Sequence, residues 1–256
     1  MKWPETLSLI RHDESAYNRL KPLKAANPLY QSFEKSFNED PESSETIRLA
    51  HEVKDMFAMN VADHNTPLAQ NAGHQAEKMA SELKNLIKPP DVIFYSPYER
   101  TKETLNRMIT GWPELQNIKS YEEERIREQE HGLALLYNDW KVFHALNPDE
   151  KTLYERQGLY WYRNPRGENV PDVRERLRSW MNTLTRDFAE QNVLAVTHHL
   201  TILGIRANQE RMSAEEFIRI DREDKPINAG VTIYTGDPTQ GKNGKLLLDV
   251  YNKKLY

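Results

Sequence analysis

At 256 residues, with 38% hydrophobic and 29% charged side chains, the chain is long enough for one large α/β domain or two small ones with a wet surface. A net charge of −4 argues against a general nucleic-acid surface, so any bound anion must be held by a local cationic pocket. The absence of cysteine excludes disulfides, thiolate nucleophiles and thiolate metal sites, and suits a reducing compartment.

The first element in chain order is a short apolar run, residues 6–10, that fits a covered strand. The sequence before it leaves no room for a signal peptide, and no apolar run approaches membrane-spanning length, so a cytoplasmic location is expected. Arg11 and His12 follow at the strand's carboxyl end, which in open α/β sheets faces the ligand crevice. There a guanidinium can grip a phosphate in bidentate fashion and an imidazole can attack it; taken alone, the pair also fits a surface arginine beside a half-buried histidine.

From Arg19 to Ala62 the chain is polar and poor in strand signals. Ser43 or Ser44 is positioned to cap a helix whose Leu49, Val53, Met56 and Phe57 share one face. This stretch, 19–62, reads as a mainly helical insertion within a single domain spanning 1–256. It is either a cap that shapes the substrate pocket or a tolerated surface excursion, and long loops in compact domains favour the cap.

Beyond it, Ala76, Met79, Ala80, Leu83 and Ile87 mark an amphipathic helix, followed by a strand at 92–95. Arg100 falls in the first turn of the next helix, where a cation is unfavourable unless an anion lies between it and the helix N-terminus. A weak strand signal covers 118–121, and Glu128 and Glu130 sit in a short loop before Gly132. Val173, Leu177, Trp180, Met181, Leu184 and Phe188 line one face of a long helix, with Pro171 near its start. A strand at 193–197 ends in His198 and His199, and strands at 231–235 and 245–250 close the chain. Alternating strands and helices predict a three-layer α/β/α sandwich with a mostly parallel central sheet.

Together these segments resemble the histidine phosphatase superfamily, the phosphoglycerate-mutase-like proteins. The residues that carry the resemblance are Arg11-His12-Asp13-Glu14-Ser15 with Asn18, and Ser96-Pro97 with Arg100 and Thr104. Glu128 before Gly132, Gly167-Glu168-Asn169 and Val196-Thr197-His198 carry it further. Thr66-Pro67-Leu68 with Gly73-His74 and Asn228 before Val231 also match. The resemblance implies that His12 is the nucleophile, forming a phosphohistidine, and that Glu128 protonates the departing oxygen and then serves as base toward water. It implies that Arg11, Arg100 and His198 supply the positive donors, that Asn18 adds a neutral hydrogen bond, and that no metal or cofactor is needed.

Two positions depart from the family pattern. Asp13 stands where glycine or alanine is usual and places a carboxyl beside the nucleophile; His199 replaces a common glycine. Neighbours in a strand point to opposite faces, so His198 and His199 do not form a metal pair. The expected function is hydrolysis of a small phosphorylated metabolite. The alternatives are a phosphoglycerate mutase and a non-catalytic phospho-ligand binder. A mutase calls for clustered cations after Glu128, whereas Lys141, Lys151 and Arg156 are scattered among acids.

Overall fold

The computed structural model describes residues 2–256. In chain order its first elements are β1 (Thr6–Arg11), α1 (Ala16–Ala25), α2 (Pro28–Glu39), α3 (Ser44–Met56), α4 (His74–Leu83), β2 (Val92–Tyr95), α5 (Glu99–Gly111) and β3 (Lys119–Glu122). There follow α6 (Trp140–Leu146), α7 (Pro148–Trp161), α8 (Val170–Asp187), β4 (Asn192–Thr197), α9 (His199–Gln209), α10 (Ala214–Glu223), β5 (Val231–Asp237) and β6 (Lys245–Lys253). The chain divides into two compact units, one of residues 2–15, 64–128 and 172–256, the other of 16–63 and 129–171.

The first unit holds a six-stranded sheet in the order β3-β2-β4-β1-β5-β6. β3, β2, β4 and β1 run parallel, and β5 and β6 add antiparallel to β1. All six strands expected from sequence are present, including the weak one. The side chains of β1, β2 and β4 alternate between two buried faces. Leu7, Leu9, Phe94, Val193 and Ala195 pack with Val173, Leu177, Trp180 and Leu184 of α8 and with Ile202 and Ile205 of α9. Ile10, Ile93, Leu194 and Val196 pack on the other side with Met79 and Leu83 of α4 and Leu105 and Met108 of α5. Helices on both sides of the sheet make the three-layer sandwich.

The second unit is helical and contains the 19–62 stretch together with the chain around α6 and α7. Tyr30, Phe33, Phe37, Leu49, Ala50, Val53, Val142 and Ala145 form its core. Ser43 caps α3, its hydroxyl accepting from the Thr46 N–H. The face expected on that helix is corrected at its end: Met56 is 57% exposed, because the buried row 46, 49, 50, 53 continues to position 57. His144 is enclosed by the rings of Trp140, Phe143, Tyr154 and Tyr162, and burial brings its pKa down to about 4. Gly132, at φ +54°, is required where it is, because a Cβ there would meet the Pro165 carbonyl oxygen at 2.1 Å.

One buried ion pair joins the two chain segments of this unit. Lys24 Nζ lies 2.5 Å from Asp139 Oδ2, with both side chains 7% exposed. Asp139 also caps α6 and accepts from the Tyr30 hydroxyl. Lys24→Met strands a buried carboxylate that keeps its cap bonds, so unfolding stability in urea should fall by about 3 kcal/mol, the low end for breaking a buried pair. A loss within about 1 kcal/mol would mean the pair is screened like a surface one.

Candidate active site

The parallel register of the sheet builds the site. β2, β4 and β1 are neighbours, and Tyr95, Val196 and Ile10 lie across from one another near their carboxyl ends. Each strand then releases one residue at the same edge: Ser96, His198 and His12. The Ser96 N–H donates to the Val196 carbonyl at 3.1 Å and the His12 N–H donates to the Thr197 carbonyl at 2.9 Å, which continues the ladder by one step.

The His12 and His198 rings meet edge to face, with centroids 5.2 Å apart. His12 Nδ1 is 2.6 Å from the Asp13 carbonyl oxygen. A carbonyl only accepts, so Nδ1 carries the proton in the neutral ring and the lone pair lies on Nε2. His198 Nε2 is 2.7 Å from the Ser96 hydroxyl, and its ring stacks edge-on against Tyr98. Burial pushes both imidazoles well below the usual histidine range, and the charges of Arg100 and Arg11 push the same way. Both are therefore neutral near pH 7.

Arg11 ends β1 and its Nη1 donates to the Pro226 carbonyl at 2.6 Å. Burial lowers its pKa, Arg100 adds to that, and the carboxylate of Glu128 opposes it. Arg100 lies in the first turn of α5, is buried, and rests over the Tyr98 ring at 4.8 Å. Glu128 Oε1 accepts from the Leu200 N–H at the start of α9. Arg11, His12, Arg100, Glu128 and His198 thus belong to one unit and interact; Asn18 belongs to the other unit, half-buried on α1. Among the described residues, Arg11 Nε and His198 Nδ1 are buried without a hydrogen-bond partner. If Ser96 donates to His198 Nε2, His198 Nδ1 is a donor, as Arg11 Nε is.

Both departures from the family pattern are accommodated. The Asp13 carboxylate accepts from the Glu14, Gly73 and Ala76 N–H groups, so its charge sits on the N-terminus of α4. The Asp13 N–H donates to the Thr104 hydroxyl. His199 turns toward α10, with Nε2 2.6 Å from Asp221 Oδ1. Neither Ser96 nor Tyr98 has a role assigned by sequence alone. Ser96 stood at the end of a predicted strand, which was signal enough; nothing local marked Tyr98.

A model of the histidine phosphatase superfamily (branch 1) matches residues 59–245. The chain belongs to this superfamily. The match includes Arg100, Glu128 and His198 and begins after Arg11 and His12, with most of the helical segment 16–63 lying between. The phosphoglycerate mutase-like protein AT74H of Arabidopsis thaliana is 30% identical over 179 residues, 62% of this chain and 61% of that protein. The chain therefore spans somewhat under two thirds of that relative's length. The broad-range acid phosphatase DET1 of Saccharomyces cerevisiae is 24% identical over 278 residues, 84% of this chain and 81% of that one. Among solved structures, a mycobacterial glucosyl-3-phosphoglycerate phosphatase in complex with inorganic phosphate has a TM-score of 0.64 at 17% identity, covering 98% of both chains. Mycobacterial hydrolase 1 has the same TM-score at 18% identity, covering 98% of this chain and 99% of that one. The two structural likenesses show the fold. Among the described residues, no helix is long and apolar enough to cross a membrane.

An unfolded histidine takes its proton near pH 6.5, whereas His12 and His198 resist it far below that value. The unfolded chain binds more protons below pH 6.5, so stability is retained above that pH and lost as pH falls. His144 adds to the same window down to about pH 4. The melting temperature should drop between pH 7 and pH 5, and millimolar inorganic phosphate should reduce the drop by favouring charged imidazoles. A melting temperature flat across that range contradicts the neutral pair.

Proposed function

We propose that this chain is a phosphomonoester hydrolase that acts through a phosphohistidine on a small phosphorylated metabolite. The observation that carries the reading is a neutral, tautomer-locked His12 buried beside two guanidiniums and a second imidazole. In this scheme Nε2 of His12 attacks phosphorus as the bond from phosphorus to the ester oxygen breaks. Glu128 delivers a proton to that oxygen and the alcohol leaves. Water then attacks the phosphohistidine, Glu128 takes its proton, and phosphate departs as the His12 lone pair returns. Arg11, Arg100 and His198 hold the equatorial oxygens, the charge-stabilising task that cations perform in phosphoryl transfer generally. Asn18 is proposed to add a neutral hydrogen bond to the same group. The scheme routes no step through a metal. A cap role for 19–62 is proposed with it, as the part that selects the substrate.

Two relatives support different chemistries by name: DET1 is an acid phosphatase and AT74H is mutase-like. Scattered rather than clustered cations after Glu128 favour the phosphatase. Assaying 3-phosphoglycerate separates the two, since a phosphatase releases inorganic phosphate where a mutase yields an isomer.

His12→Ala should abolish phosphate release from p-nitrophenyl phosphate, and acid-quenched labelling of the parent protein should map to His12. Turnover retained in that variant, or label on another residue, would overturn the nucleophile. Saturating EDTA should leave the rate unchanged; strong inhibition would contradict the metal-free scheme.

A further inference from the structure

The turn between α10 and β5 reaches Arg11–Asp13 at five points. Its carbonyls at Pro226 and Gly230 accept from the Arg11 guanidinium and the Arg11 N–H. The Ala229 N–H donates to the His12 carbonyl at 3.3 Å. Asn228 Nδ2 donates twice, to the His12 carbonyl at 3.0 Å and to the Asp13 carbonyl at 3.2 Å. That last oxygen is the one that accepts from His12 Nδ1.

The turn is built to stay in place. Ala229 is fully buried at φ +50°, a left-handed conformation that costs a non-glycine residue on the order of 1 kcal/mol. Such a conformation persists only where its surroundings impose it. Asn252 braces the residues before it: its side chain accepts from the Ile227 N–H and donates to Asp224 Oδ1 and to the Lys225 carbonyl. The Tyr256 hydroxyl donates to the Asn228 carbonyl at 2.8 Å.

The geometry points to Asn228 as a positioning residue for the nucleophile: by holding the His12 and Asp13 carbonyls, it orients the oxygen that keeps the proton on His12 Nδ1 and leaves Nε2 free to attack. The inference rests on reading His12 as the nucleophile. The physical reason is local. A hydrogen bond between a side chain and the next residue's carbonyl is only as well aimed as that peptide plane, and two neighbouring planes gripped by one amide cannot rotate independently. Without the grip, the Asp13 carbonyl is free to tilt, and the proton moves between the two ring nitrogens. A ring protonated on Nε2 cannot attack phosphorus.

The test uses Asn228→Leu, which keeps the volume and removes both donors, and Tyr256→Phe, which removes the bond behind Asn228. Nitrogen-15 spectra of labelled His12 read the tautomer directly and do not depend on turnover. The parent should show His12 protonated on Nδ1 alone, and N228L a mixture of the two tautomers. With p-nitrophenyl phosphate, N228L should lose roughly tenfold or more in kcat while inhibition by inorganic phosphate stays within about twofold. Y256F should shift both readouts the same way, by less. A His12 that stays wholly on the Nδ1 tautomer in N228L, or a kcat within about twofold of the parent, overturns the inference. If N228L does not fold, the Y256F spectrum decides it. Should H12A prove fully active, the nucleophile assignment fails, while the tautomer spectra still report whether Asn228 holds the ring.

Discussion

Two guanidiniums and two imidazoles share one desolvated cluster, and everything else about the site follows from how those four groups coexist. Burial alone disfavours a charged imidazole, and Arg11 and Arg100 beside it add repulsion. The histidines therefore stay neutral while the arginines keep their charge. One of them is left with an unshared pair directed by its own backbone, and the other with an unpartnered ring nitrogen. On the proposed reading, a dianionic substrate relieves the repulsion between the cations and accepts from Arg11 Nε and His198 Nδ1, which among the described residues have no hydrogen-bond partner.

This arrangement needs a rigid frame, because like charges held together separate unless their attachments resist. The frame is the parallel edge. His12 and His198 leave β1 and β4 at one level, Ser96 leaves β2 one residue earlier, and backbone bonds across β1, β4 and β2 hold their spacing. Asp13 strengthens the frame. Its carboxylate ties the loop after His12 to the N-terminus of α4, so its charge is held against helix N–H groups. The turn at 225–230 closes the loop from the other side.

The second unit is held by different means. Its core is aromatic and aliphatic, and its two chain segments are joined through a buried Lys24–Asp139 pair. An ion pair of this kind adds little net stability but penalises any packing that leaves one charge alone. It therefore pins the chain around Asp139 to α1 and α2.

Most of the fold was legible in the sequence because its signals are local. Strand runs such as 193–197 and helix faces such as Val173 to Leu184 are periodicities read over ten to twenty residues. The placing of Arg11, His12, Arg100, Glu128 and His198 at element ends was legible too, since each stands at the end of a strong local pattern. The roles of Asp13, His199 and Asn228 were not. Whether Asp13 faces an anion or a helix depends on Gly73 and Ala76, some sixty residues away in sequence. Whether Asn228 matters depends on contacts more than two hundred residues back along the chain. Sequence alone determined which reactive side chains stand at the element ends, because residue type and element ends are written locally. Tertiary structure alone decided where each charge points and which proton His12 holds, because hydrogen-bond partners across a sheet leave no trace in the spacing of either partner.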